Sequence, residues 1–124
     1  MGREKSKMES AVSVSRLRGA RVSPQKARLI INMVRGASVA HALNALRFQK
    51  QKTARLAEKL IQSAVANAVD TRSGRIDVDS LYVSEAYVDS GVTLKRSMPR
   101  ARGSASPIRM RSSHITVVLS ARNR

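Results

Sequence analysis

The stretch Thr93–Arg111, TLKRSMPRARGSASPIRMR, holds six cations (Lys95, Arg96, Arg100, Arg102, Arg109 and Arg111), no carboxylate and no regular apolar stripe. Ordering a backbone costs about 1–2 kcal/mol per residue, and burial must offset that cost. A segment so poor in apolar side chains is either disordered or held in shape by a polyanion. Pro99 and Pro107 remove ladder donors, so the segment reads as an edge-like or bulged ribbon rather than a central strand. Apolar-alternating runs flank it on both sides, which makes it the arm of a long hairpin with its tip at Gly103-Ser104. Roughly 12–14 residues per side at about 3.3 Å each give a length on the order of 40 Å. A two-stranded ribbon of that kind is marginal alone in water.

The rest of the charge is partitioned in the same sense. The net charge is +16, from 24 basic and 8 acidic residues. Ser10 to Ala57 carries ten basic residues and no acid, and Ser90 to Arg124 carries eight and none. Glu58 to Asp89 holds six of the eight acids against three bases. A surface built only for solubility mixes its signs; segregation is the footprint of a nucleic-acid ligand. The arm's arginines offer bidentate contacts to phosphate. Arg16, Arg18, Arg21, Lys26 and Arg28 form a second basic patch beside the start of a helix, where backbone N–H groups favour an anion. His114 opens a strand. With two Tyr, one Phe and no Trp, the chain lacks the stacking platforms of most single-strand binders.

Along the chain, Met1 to Ser10 is polar and reads as a flexible tail. Val12, Val14 and Leu17 sit among polar neighbours, as in an edge strand. Ser23-Pro24 is an N-cap followed by proline at the first helical position, and Ala27, Ile30, Ile31 and Val34 share one face before Gly36 ends the helix. Ser38 caps a second helix to about Phe48, with Val39, Leu43 and Leu46 inward. A third runs from about Lys52 to Val69 on a stripe of Ala57, Leu60, Ile61, Ala64, Val65 and Ala68. After the turn Thr71–Gly74 the period falls to two, and the β-branched run Ser113–Leu119 is a strand. The core is therefore aliphatic, and the fold class is α+β.

Several functions are excluded. There is no cysteine, hence no disulfide and no thiolate metal site. His41 and His114 are too few for a metal centre, and no Gly-rich phosphate loop is present. Glu58 and Glu85 lack a His or Ser constellation, so no catalytic apparatus is expected. No run of about 18 apolar residues marks a membrane helix, and no secretory leader is expected. The chain thus reads as a non-enzyme without cofactor, metal, membrane or small-molecule substrate.

Four blocks stand in one order: Arg21-Val22-Ser23-Pro24-Gln25-Lys26-Ala27-Arg28; Ser63-Ala64-Val65-Ala66-Asn67-Ala68; Lys95-Arg96-Ser97-Met98-Pro99-Arg100-Ala101; and Arg100-Ala101-Arg102-Gly103-Ser104 followed nine residues later by His114-Ile115-Thr116-Val117-Val118-Leu119. Together they resemble the bacterial large ribosomal subunit protein twenty-two family over about Ala11 to Arg122. The resemblance implies one α+β domain, residues 11–122, of three helices packed on a small three-stranded antiparallel sheet, with a protruding hairpin at about 86–113. It implies a structural constituent of the large subunit, cytoplasmic in the ribosome, that binds large-subunit rRNA and supports assembly beside neighbouring ribosomal proteins. RNA contact falls to Arg16, Arg18, Arg21, Lys26, Arg28, Lys95, Arg96, Arg100, Arg102, Arg109, Arg111 and His114. The tip (Met98, Pro99, Arg100, Ala101, Arg102, Gly103 and Ser104) is expected to line the polypeptide exit tunnel near the nascent chain. The tip reads Gly-Ser-Ala-Ser-Pro where many members carry a further Arg, and the N-terminus is longer than in the shortest members. The alternative is an architectural DNA-binding protein that inserts its basic β-arm into the minor groove with proline wedges.

Overall fold

The computed structural model describes residues 11–71, 77–99, 101–103 and 105–121, without the side chains of 105–107. The expected tail 1–10, Arg100 and Ser104 of the tip, and residues 72–74 of the expected turn lie outside them. The elements run β1 (Ala11–Ala20), α1 (Pro24–Val34), α2 (Val39–Arg47), α3 (Lys52–Thr71), β2 (Leu81–Ser90), β3 (Leu94–Pro99), β4 (Ala105–Met110) and β5 (Ser113–Ala121). This is the α+β arrangement expected from the sequence. A three-stranded antiparallel sheet has the order β1-β5-β2, and a separate two-stranded ribbon pairs β3 with β4.

The helices start where the sequence places their caps. Ser23 Oγ accepts from the N–H of Lys26, Pro24 takes the first turn, and Gly36 at φ 82° receives the chain as α1 ends. Ser38 Oγ accepts from His41 N–H and starts α2. In α2 it is Val39, Ala42 and Leu46 that are fully inside, while Leu43 lies at the margin of the core. Asp77 caps a short 3-10 turn, Val78–Ser80, its Oδ1 accepting from Asp79 N–H.

The helices cover one face of the sheet. Ile115, Val117 and Leu119 of β5, with Leu81, Val83, Ala86 and Val88 of β2, meet Ile30, Ile31, Val34, Leu46, Leu60 and Ile61, so the core is aliphatic throughout. Strand β1 is an edge, and of its expected apolar residues Val12 and Leu17 pack partly against the core while Val14 does not. Ser13 and Ser15 are buried under α3, and Val14 is exposed. The alanine stripe of α3 explains this. Ala57, Ala64 and Ala68 let the helix approach closely, and Ser13 Oγ donates to Ala64 O at 2.8 Å where a valine would hold the layers apart.

The outer edge of β2 is closed by α1 and the loop after it. Gly36 N–H donates to Val83 O at 2.8 Å and Val83 N–H to Ala37 O at 2.9 Å. Further along, Ala86 O accepts from Arg35 Nε and NH2, and Val88 O accepts from Arg28 NH2 at 3.1 Å. Two arginines thus take the place of a neighbouring strand, satisfying carbonyls that an open edge leaves to solvent.

The hairpin region expected at about 86–113 divides into two parts. Residues 86–90 belong to the body: Ala86 pairs with Val117 and Ser90 with Ser113. The ribbon proper begins where Leu94 pairs with Met110 and ends at Pro99 opposite Ala105. Six residues per strand span about 20 Å, half the length expected from the sequence. The two parts join at a corner where residues 91–93 on the outgoing side stand opposite 111–112 on the return side. Gly91 N–H donates to Ser112 O at 2.9 Å, and Ser112 Oγ donates to Val92 O at 2.7 Å. A Cβ on Gly91 would sit 2.5 Å from Ser112 Oγ and 3.2 Å from His114 Cε1.

Two stability outcomes follow from these contacts. Gly91→Ala should lower the urea unfolding free energy by about 1–2 kcal/mol through crowding, and adding Ser112→Ala should recover part of the loss by removing the nearest atom. A Gly91→Ala protein as stable as wild type would show that the corner is not closely packed. Arg35→Met should cost about 1–2 kcal/mol in the same measurement by stripping Ala86 O of its donors, whereas exposed Arg47→Met should stay within about 0.5 kcal/mol.

A candidate nucleic-acid interface

The corner sorts the arm's side chains by face. On the return strand, Arg109 and Arg111 keep the parity of Ser113 and Ile115, which point to the helix layer. On the outgoing strand the extra residue shifts the parity by one, so Lys95 rather than Leu94 falls on that side, directly opposite Arg109. One face of the ribbon therefore carries Lys95 and Arg109. The other carries Leu94, Arg96 and Met98 with Ile108 and Met110.

The cationic face looks across a cleft at the start of α1. The cleft has a volume of about 620 Å³ and is lined by Pro24, Gln25 and Arg28 on the body and by Thr93, Lys95, Arg109 and Arg111 on the arm, with Ser90 and Ser112 at the corner. Among the described residues, four cations and no carboxylate line it. Lys95 and Arg109, paired across the ladder, are a like-charge pair that destabilises an unliganded ribbon. The helix start contributes less than the sequence suggests. Pro24 has no N–H, and the N–H groups of Lys26 and Ala27 are bonded to Ser23, which leaves that of Gln25. Arg28 has two duties, since its guanidinium also holds Val88 O.

The second patch expected from the sequence is distributed over three surfaces. Arg28 joins the arm's cations in the cleft. Arg21 lines a groove on the opposite side of the ribbon root, with Arg96, Val92, Leu94 and Met110. Arg16 and Arg18 line a hollow on the outer sheet face with Tyr87, Asp89 and His114. Lys26 is exposed on α1 and lines none of the three. His114 Nδ1 accepts from Gly19 N–H at 3.0 Å, so the imidazole ties the end of β1 to β5, with its Cε1–Nε2 edge beside Gly91. At the tip, Ala101–Gly103 forms a tight turn with Arg102 at φ 64° and Gly103 at φ 75°. A left-handed arginine costs about 1–2 kcal/mol, so strain is concentrated at the exposed tip.

Sequence reasoning missed two features. The structural bonds of Arg28 and Arg35 to β2 were hidden within a run of apparently uniform basic residues. The apolar face of the ribbon was invisible because neither strand shows it alone; Leu94 and Met98 meet Ile108 and Met110 only through pairing. Their even spacing, four residues between Leu94 and Met98 and two between Ile108 and Met110, was the available signal.

With this geometry in hand, comparison with known proteins is informative. A family model described as Ribosomal protein L22p/L17e matches residues 15–120. The large ribosomal subunit protein uL22 of Geotalea daltonii is 54% identical over 107 residues, covering 86% of this chain and 95% of that protein. Those of Ligilactobacillus salivarius and Myxococcus xanthus are 54% identical over 102 residues and 49% over 107, covering 82% and 86% of this chain and 87% and 94% of theirs. The similarity runs unbroken from the edge strand through the basic arm to the last strand, and the chain belongs to the ribosomal protein L22p/L17e family.

Proposed function

We propose that this protein is a non-catalytic constituent of the large ribosomal subunit, acting in the bacterial cytoplasm by neutralising and bridging segments of large-subunit RNA. The observation that carries the reading is the cleft between α1 and the arm, where Arg28, Lys95, Arg109 and Arg111 face one another with no carboxylate among them. Such a set is self-repelling until a polyphosphate enters it. The members compared above are named for the large subunit. In this reading residues 11–122 fold as one unit that anchors at the subunit surface beside other ribosomal proteins. The arm reaches inward, and its tip around Met98–Ser104 lines the exit tunnel beside the nascent chain. Arg16, Arg18, Arg21, Lys26, Arg96, Arg100, Arg102 and His114 add contacts over the remaining surfaces.

The test is binding to large-subunit RNA across a salt series. Affinity should fall by about 10³–10⁵ between 50 and 200 mM salt if six to ten phosphates are neutralised, by analogy with duplex DNA. Lys95→Gln and Arg109→Gln should each reduce the slope of log K against log salt by about 0.7–1. A flat salt response would count against the proposal. Duplex DNA competing as well as the RNA would favour the architectural DNA-binding alternative.

A further inference from the structure

We propose that the groove at the root of the arm holds the base of one unpaired nucleotide. Val92, Leu94 and Met110 would lie against the base, and Arg21, Arg96 and Arg111 would take the flanking phosphates. The inference rests on the RNA-binding reading above and assigns a different chemistry to the opposite side of the ribbon.

The groove has a volume of about 370 Å³, toward the lower end of the roughly 300–1,000 Å³ usual for small-ligand sites. Its floor is apolar and open: Val92 is 72% exposed, Leu94 55% and Met110 43%. Among the described residues its lining includes three guanidinium groups and no carboxylate. An apolar side chain of a partner protein would cover the floor and leave three cations desolvated without a counter-charge. A phosphate backbone alone would pair the cations and leave the floor in water. An unpaired nucleotide satisfies both halves, joining a flat, weakly polar base to phosphates on either side. The scarcity of aromatic rings is no obstacle, because aliphatic side chains can take a base face out of water and the methionine thioether is polarisable.

The neighbouring cleft supplies continuity. Arg111 and Ser112 line both hollows. A strand whose phosphates lie in the cleft can therefore cross the root of the arm at Arg111 and turn one base into the groove. The wall on the body side is fixed, since Gly19, at φ 71°, gives its N–H to His114 Nδ1 and brings the chain around to Arg21.

The test compares wild type with the double variant Leu94→Ala/Met110→Ala. Both residues are exposed, so thermal unfolding should be unchanged, and that is measured first. Bacterial large-subunit RNA is the probe, with affinity read across a salt series and base accessibility read by dimethyl sulfate and carbodiimide modification. The expected result is an affinity loss of about 5–100-fold at every salt concentration with an unchanged salt slope. At least one unpaired base protected by wild type should become reactive in the variant complex. Arg96→Gln should instead reduce the slope. Equal affinity and equal protection for wild type and the double variant would overturn the groove assignment while leaving RNA binding intact. So would unchanged RNA affinity with lost incorporation of a neighbouring protein into the subunit, which would assign the floor to a protein partner. No RNA binding by wild type would overturn both this inference and the reading beneath it.

Discussion

One extra residue at the corner of the arm decides what each of its faces can do. Residues 91–93 stand opposite 111–112, and strand side chains alternate with a period of two, so a single inserted position exchanges the faces of the outgoing strand. Without it, Leu94 and Arg96 would turn toward the helix layer and Lys95 would turn away. With it, Lys95 stands across from Arg109 and beside Arg28, while Leu94 and Met110 share the other side. The corner is compact because Gly91 leaves no room for a Cβ beside Ser112 and His114.

Charge follows the same division. The body saturates its own polar groups: Arg35 and Arg28 close the edge of β2, Arg55 pairs with Glu58 at 3.0 Å, and His114 takes the Gly19 N–H. The arm does not. Lys95, Arg96, Arg109 and Arg111 line hollows that hold no carboxylate among the described residues, on a ribbon whose paired length is about 20 Å and whose residues Leu94–Pro99 are all exposed. A ribbon of that size has little intrinsic stability, and the opposed Lys95 and Arg109 reduce it further. The arm therefore carries charge that its own contacts do not balance, which is what the proposed polyanion would supply.

The helices and the aliphatic core were legible because they rest on local rules. The Ser23-Pro24 and Ser38 caps, the Gly36 stop and the α3 stripe each involve residues within a few positions of one another. The four blocks that identify the family are equally local. What escaped the sequence depends on partners far along the chain. The inward serines of β1 need the alanines of α3, 51 residues away at Ser13 and Ala64, to make sense. The arm looked twice as long because Ala86–Ser90 continue its alternation, and only pairing with β5 assigns them to the body. The basic residues from Arg16 to Arg28 looked like one patch, yet the turn between β1 and α1 spreads the four arginines over three surfaces.

That distribution also separates affinity from placement. In the reading proposed above, phosphate contacts made by the cleft would be strong and largely indifferent to sequence, so by themselves they would leave the arm free to settle on many RNA segments. A site that accepts only an unpaired base adds a requirement that a uniform duplex cannot meet, because its bases are stacked and paired. The two hollows share Arg111 at the corner where the arm's direction is set. A strand occupying both is held on opposite faces of the ribbon, and that arrangement restrains the arm against rotation as well as withdrawal. Cations on one face alone would supply attraction without orientation, so on the proposed reading it is the inserted residue, by sorting the faces, that would let a weak ribbon be fixed in one position.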